Sequence, residues 1–268
     1  MTTTVDGVAQ PIPLTTFKLL DDIIAILGST KTTLWPFLES TGSVLQSYKE
    51  NIHPLTAQDS GSDGFYPYRH RGHVNSLSFN ASDDQYLLGE DHADFEFGDA
   101  ANDVPFSVGC WIQPRDITDV MLLAKHDLTG AAEDREWILW LHSDSTLRFE
   151  LYDESADATE HAEGTTAVTA NEWSFVVMTY DGTEDDPLMY LYLNGAVDNG
   201  GTTTETGAYV AMEAGATPLM IGARLNAAAP SDEYTGRLAL PFICGKELSA
   251  SDVTALYAIG RRLLGLKA

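Results

Sequence analysis

The stretch Glu172-Trp173-Ser174-Phe175-Val176-Val177-Met178-Thr179-Tyr180-Asp181-Gly182 reads as a buried strand running into a turn, and Tyr190-Leu191-Tyr192-Leu193-Asn194-Gly195 reads as a second strand with a turn of its own. Aromatic and β-branched residues closed by Asp-Gly or Asn-Gly mark chain reversals, because those dipeptides accept the positive φ angles of a tight turn. The pattern spreads outward from this point. Residues 106–112 alternate, with Phe106, Val108, Cys110 and Ile112 on one face. Residues 146–152 alternate too: Leu147, Phe149 and Leu151 face one way, and Arg148, Glu150 and Tyr152 the other. Apolar runs at 32–38 (containing Trp35), 75–80, 120–124, 137–142, 219–222 and 237–244 complete a set of short strands. Trp137 and Trp140 stand three positions apart, so on one strand they point to opposite faces. Many short strands separated by turn signals predict an all-β, two-sheet sandwich.

Helical periodicity occurs only near the two ends. Residues 1–12 read as an extended arm, Thr-rich and limited by Pro11 and Pro13. From Thr15 or Thr16, Phe17, Leu20, Ile24 and Leu27 recur at helical spacing until Gly28 stops the run, and Leu19, Ile23 and Ile26 widen the stripe. A helix apolar over so much of its circumference needs cover on more than one side. Either its own domain supplies that cover, or a neighbouring subunit does, which would make Phe17, Leu20, Ile24 and Leu27 assembly contacts. Near the other end, Ser249 and Asp252 form a capping pair ahead of Val253, Leu256, Tyr257 and Ile259. The expected organisation is an arm and helix over 1–30 and one β domain over 31–268.

The chain carries 40 Asp plus Glu against 15 Lys plus Arg, a net charge of −25. Such a surface repels phosphate backbones and anionic headgroups, so nucleic acid and membrane insertion are not expected. Lys occurs only at 18, 31, 49, 125, 246 and 267, with nine Arg besides. Few Lys among many carboxylates suits a protein kept soluble in salt, and suits an ordinary acidic surface as well. Cys110 and Cys244 both sit in apolar runs and read as buried free thiols, with a disulfide open to them if two strands set them side by side. The opening residues lack the basic and apolar regions of a secretory signal, which leads to the expectation of a chain folded in the cytoplasm where it is made.

The order of these segments resembles the laminin-G-like, concanavalin A-like lectin/glucanase jelly roll. Trp35-Pro36-Phe37-Leu38-Glu39-Ser40-Thr41-Gly42 is similar to that family's opening strand, and Asp59-Ser60-Gly61-Ser62-Asp63-Gly64 to its Gly/Asp turn. Ser76-Leu77-Ser78-Phe79-Asn80 with Gln85-Tyr86-Leu87 resembles the next hairpin, and Phe106-Ser107-Val108-Gly109-Cys110-Trp111-Ile112 the strand after it. The 172–182 stretch is the most specific match, and the resemblance covers about residues 31–260. It implies a jelly-roll sandwich with an N-terminal helical arm and a short C-terminal helix. One departure stands out. The family often has an acidic pair after a late Gly, whereas Gly236 is followed by Arg237-Leu238-Ala239-Leu240-Pro241. Related glucanases draw their carboxylates from a strand reading Glu-x-Asp-x-x-Glu. The nearest stretch here, Asp94-Phe95-Glu96-Phe97-Gly98-Asp99, alternates wrongly, so no catalytic residue is expected and the chain reads as non-enzymatic.

Loop carboxylates offer a hard-cation site, with Asp59 and Asp63 in one loop, and Asp181 and Asp185 in another beside Glu184 and Asp186. Calcium is the cation such loops would take; solvated turns are the plainer reading. Tyr68-Arg69-His70-Arg71-Gly72-His73 is the one locally basic stretch, suited to pairing with carboxylates, and its two histidines lack evident partners for zinc. Two functional expectations follow. Relatives of this fold in cells usually work outside after secretion. A virion protein is made in the host cytoplasm and also acts outside, so a structural or adhesive virion component (capsid decoration, turret, fibre or tail-associated), assembled as a homo-oligomer with other shell proteins, reconciles the fold with the missing export signal. The other expectation is a carbohydrate-binding, lectin-like module, calcium-assisted, that meets a cell-surface glycan.

Overall fold

The computed structural model describes residues 2–5, 8–39, 42–49, 52–60, 67–69, 73–128, 134–183, 188–200 and 203–267. Two antiparallel sheets face each other. The smaller runs Ala196–Gly200, Met189–Leu193, Ser174–Tyr180, Phe106–Pro114, Gly236–Cys244, Asn75–Phe79 and Pro67–Arg69, with Thr33–Leu34 added beside Gly236–Cys244. The larger runs Thr204–Thr206, Ala158–Glu163, Leu147–Asp153, Asp134–Leu141, Val120–Asp127, Met220–Ile221, Tyr86–Leu88, Leu55–Gln58 and Val44–Leu45, with a short Arg224–Asn226 and Ala229–Ser231 hairpin alongside. The Asn194-Gly195 turn forms as its sequence requires: both residues have positive φ, 54° and 82°, so the hairpin closes in two residues.

The expected inward faces meet between the sheets. Phe106, Val108, Cys110 and Ile112 pack with Leu147, Phe149 and Leu151, and Phe97 stacks on Phe106 at 4.1 Å with parallel rings. The opposite face of the smaller sheet is apolar as well. Trp111, Phe175 and Val177 point away from the inter-sheet core into a second cluster built with the two helices. The Leu14–Leu27 helix contributes Leu19, Leu20, Ile23 and Leu27 to that cluster, and the Ala250–Leu264 helix contributes Val253, Leu256, Leu263 and Leu264. Trp111 stacks on Tyr257 at 5.4 Å, and a Cβ placed on Gly260 would lie 2.1 Å from Trp111 Nε1. Gly260 is therefore where the C-terminal helix presses onto the sheet. That helix begins in the expected capping box of Ser249 and Asp252.

Two expectations need correction, and the two cysteines are the buried free thiols that were expected. Leu20 and Leu27 are 0% and 1% exposed inside the chain's own core, so they are not available as assembly contacts; Phe17 and Ile24 are partly buried against the same cluster. The apolar run at 32–38 forms a ladder only at Thr33–Leu34. Pro36 removes a ladder donor and Phe37 takes a φ of 50°, so the chain bends while Trp35 anchors it by donating to His53 O at 2.6 Å. Cys110 and Cys244 lie on neighbouring strands but on opposite faces, Cys110 between the sheets and Cys244 toward the helices, and both are free thiols. Burial pushes both thiols up, Cys244 to about 12. The N-terminal arm pairs Thr2–Val5 antiparallel with Val8–Pro11 and, among the described residues, joins neither sheet.

Leu20→Ala should lower unfolding stability by about 2–5 kcal/mol, the range for opening a cavity in a packed core. Denaturant titration of the purified chain checks this. Unchanged stability would place the helix outside the fold's core.

Candidate functional site

With the smaller sheet covered by helices, the outer face of the larger sheet is the broad face left for polar chemistry. Strand register sets out its rows. Met121, Trp140, Arg148 and Glu163 lie side by side across four strands. The next row is Ala124, Ile138, Glu150 and His161, and Tyr152 stands beyond it beside Thr159. Met121, Ala124, Ile138 and Tyr152 are buried in a small apolar cluster of their own, with Trp140 partly buried against it. The two Trp of this strand divide as their spacing requires. Trp137 is fully buried and donates to Phe95 O at 3.2 Å, while Trp140 takes the outer face.

Charged side chains cover this apolar floor in pairs. Arg148 Nε lies 2.8 Å from Glu150 Oε1, and its Nη1 2.8 Å from Glu163 Oε1. The Tyr152 hydroxyl donates to Glu150, and the Arg135 guanidinium binds Glu154 while lying 4.8 Å from the Tyr152 ring centre. Arg224 Nε donates to Asp232 at 2.6 Å. Arg148 also sits over Trp140, 5.8 Å from its ring centre, and His142 meets that indole edge-on at 5.2 Å. Trp140 Nε1, His126 Nδ1 and Arg148 Nε are buried with no hydrogen-bond partner among the described residues, so the Arg148 Nε approach to Glu150 is an ion pair without hydrogen-bond geometry. Burial, with Arg224 and Arg135 nearby, pushes His126 down to about 3, so its ring is neutral.

The loop carboxylates fare differently. Asp59 is partly buried just after the Leu55–Gln58 strand of the larger sheet, and Asp181 follows the Ser174–Tyr180 strand of the smaller one. Asp181 Oδ1 accepts from Thr183 N at 3.0 Å, Thr183 Oγ1 at 2.8 Å and Leu188 N at 3.3 Å, so its own turn occupies it. Asp63 and Asp185 lie outside the described residues, as do Glu184, Asp186, His70 and Arg71. His73 is tied to the N-terminal helix, its Nδ1 3.1 Å from Thr16 Oγ1. In the 94–99 stretch, Phe95 and Phe97 enter the core, Asp94 turns to His53, and Asp99 accepts backbone N–H groups of Ala101 and Asn102. A shallow groove lined by Ile24, Gly28, Thr32, Tyr48 and Lys49 lies beside the N-terminal helix. The Tyr48 hydroxyl and the Lys49 ammonium both contact Asp21 at 2.7 Å, which uses its polar groups internally.

A sequence model of the concanavalin A-like lectin/glucanase superfamily matches residues 83–254. The chain belongs to that superfamily. No curated protein sequence matches it. Among solved structures with the same fold, the botulinum neurotoxin D ligand-binding domain in complex with N-acetylneuraminic acid is 14% identical, with a TM-score of 0.56, 88% of this chain and 52% of that chain covered. Domain 4 of the extracellular arabinanase AbnA of Geobacillus stearothermophilus, in complex with arabinotriose, is 15% identical, with a TM-score of 0.51 and coverage of 79% and 92%. A mutant Trypanosoma rangeli sialidase is 15% identical, with a TM-score of 0.58 and coverage of 94% and 39%. The chain thus spans about half the length of the toxin domain. At these identities the likeness is one of fold. This superfamily member is a lectin-like jelly roll, similar to toxin binding domains and to a domain solved with a bound oligosaccharide.

The sequence placed Arg148, Glu150 and Tyr152 on the outward face and split Trp137 from Trp140 without disclosing which of the two is outward, and it did not gather these residues into a site. Their rows come from cross-strand register, which no single strand discloses. Arg135, Arg224 and His126 came unflagged, because their strands read as plain apolar or turn segments.

His126 gives this face a pH signature. Its folded value lies below the ordinary 6.5, so between about pH 6.5 and 3 the unfolded chain binds a proton that the folded chain refuses. Its contribution to stability is complete above that window and is lost as pH falls through it, by at most roughly 1.4 kcal/mol per pH unit. His126→Phe should flatten that part of the curve of unfolding free energy against pH. An identical slope in the variant would contradict a neutral buried ring.

Proposed function

We propose that this chain is a non-catalytic recognition domain that binds a neutral oligosaccharide on the outer face of its larger sheet. The observation that carries the reading is the partly exposed Trp140 indole set among paired Arg and Glu side chains. Sugar rings present apolar C–H faces and a rim of hydroxyls. An indole matches the first, and fixed donors and acceptors match the second. Three of the nine Arg of the whole chain lie here, and each is paired with a carboxylate. Paired in this way they offer directed hydrogen bonds with little net charge. A chain of charge −25 also repels a sialylated partner, which favours a neutral one. The arabinotriose complex of one relative in fold and the N-acetylneuraminic acid complex of another support sugar binding as a use of this architecture.

A glycan array carrying neutral arabino-, gluco- and galacto-oligosaccharides beside sialylated ones tests the proposal. Retention of a neutral class is expected, and Trp140→Ala and Arg148→Ala should each weaken it at least about tenfold, as loss of a central contact does, with circular dichroism unchanged. Retention of sialylated glycans alone, or full retention by Trp140→Ala, contradicts the reading.

A place on a virion is the second reading, favoured by the arm. Among the described residues its hairpin pairs with neither sheet, which suits addition to a strand of a second copy or another shell protein. Light scattering of the intact chain should then show an oligomer that becomes a monomer, with unchanged melting temperature, when residues 1–11 are removed. A monomeric intact chain contradicts it.

A further inference from the structure

At one end of the sandwich a buried histidine is held by four separate contacts. His53 is 5% exposed. Its backbone N–H donates to Ser47 Oγ at 3.1 Å, and its carbonyl accepts from Trp35 Nε1 at 2.6 Å. Its Nδ1 lies 2.9 Å from Glu90 Oε1, and its Nε2 lies 3.0 Å from Asp94 Oδ2. The His92 ring packs against it with centroids 4.5 Å apart, and Phe95 closes one side at 4.8 Å. Glu90, His92 and Asp94 alternate along one short segment. Asp91, which points the other way, is fixed by an ion pair of 2.8 Å to the fully buried Lys125. The segment is thereby pinned on one side by Asp91 reaching Lys125 and on the other by Glu90 and Asp94 reaching His53.

We propose that His53, His92 and Asp94 form a three-ligand site for a divalent transition metal of the zinc class, with Glu90 as the outer carboxylate that orients His53. Ligand nitrogen and oxygen atoms of the three residues all lie within 4.8 Å of one another. Ligands about 2.0–2.2 Å from a tetrahedral zinc stand about 3.3–3.6 Å apart, so His53 Nε2 and Asp94 Oδ2, hydrogen-bonded at 3.0 Å, have to part by a few tenths of an ångström, and the exposed His92 ring, whose Nδ1 lies 4.0 Å from that oxygen and accepts Asp94 N–H at 3.1 Å, has to turn toward the ion. A carboxylate on the far nitrogen of a ligating histidine fixes its tautomer and ring orientation, which is the place Glu90 occupies. Imidazole with a carboxylate selects zinc, nickel or copper over calcium and magnesium, which want six or more oxygens. Glu90, Asp91, Asp94 and Glu136 surround this end with negative charge against Lys125, which draws a cation in. Three protein ligands leave one position open, on the side of the exposed His92. The ion would tie the loop that carries His53 to the segment 90–94.

Titration of the metal-stripped full chain with zinc chloride, followed by calorimetry and thermal melting, tests the site. One equivalent should bind with a raised melting temperature, and a large excess of calcium should not displace it. His92→Ala removes a ring whose Nδ1 also caps Asp94 N, so an unchanged melting temperature of the metal-free variant is the control; the variant should weaken binding at least about tenfold, and Glu90→Gln, which keeps that cap, should weaken it about 10- to 100-fold. Absence of zinc binding, full-strength binding by His92→Ala, or displacement by calcium would overturn the proposal, leaving His53 as a structural link between two carboxylates.

Discussion

The structure depends on a sheet that is apolar on both faces. In the Ser174–Tyr180 strand every side chain is buried, and in the neighbouring Phe106–Pro114 strand all but one are. One face finds its cover in the other sheet. The second face carries Trp111, Phe175 and Val177 and would be an open hydrophobic patch of a size that soluble chains avoid. The two helices supply that cover, so the sandwich becomes three layers. This is why the N-terminal helix is apolar around so much of its surface. It meets the sheet on one side and the C-terminal helix on another.

The same constraint places the recognition surface. Once helices occupy the outside of the smaller sheet, broad polar chemistry is left to the outside of the larger one. There, outward positions are free to carry Arg, Glu, His and one Trp, because strand alternation sends Leu147, Phe149 and Leu151 the other way. The charges are arranged in pairs over a small apolar floor. Hydrogen bonds to Glu154 hold Arg135 in a fixed orientation, and the ion pairs of Arg148 with Glu150 and Glu163 balance its charge, so the face is not strongly charged. The net charge of −25 belongs to the whole surface, while this face keeps a local balance of signs.

Much of the architecture was legible in the sequence for physical reasons. Strict alternation disclosed the inward faces at 106–112 and 147–151, and the capping pair located the C-terminal helix. The Ala158–Glu163 strand was missed because its inward residues, Ala158, Glu160 and Ala162, are small or charged and give no apolar signal. Pro36 hid a bend inside an apolar run. The helix posed a different difficulty. Its sequence showed that it needed cover, but what covers it is a tertiary fact. The site was legible only in parts. The spacing set Trp137 and Trp140 on opposite faces without disclosing which of them faces outward, and the neighbours of Trp140, Arg148 and Met121, arrive by register from other strands. His53 and the 90–94 segment are far apart in sequence, and a lone histidine between Ile52 and Pro54 carries no signal by itself.

Amide hydrogen exchange of the full chain, with and without a saturating neutral oligosaccharide from the array, tests the central assignment most directly. Protection on binding should be confined to the Asp134–Leu141 and Leu147–Asp153 strands and their immediate neighbours in the larger sheet. Protection centred on the Leu14–Leu27 and Ala250–Leu264 helices would contradict it, because the covered face would then be the one that meets the ligand.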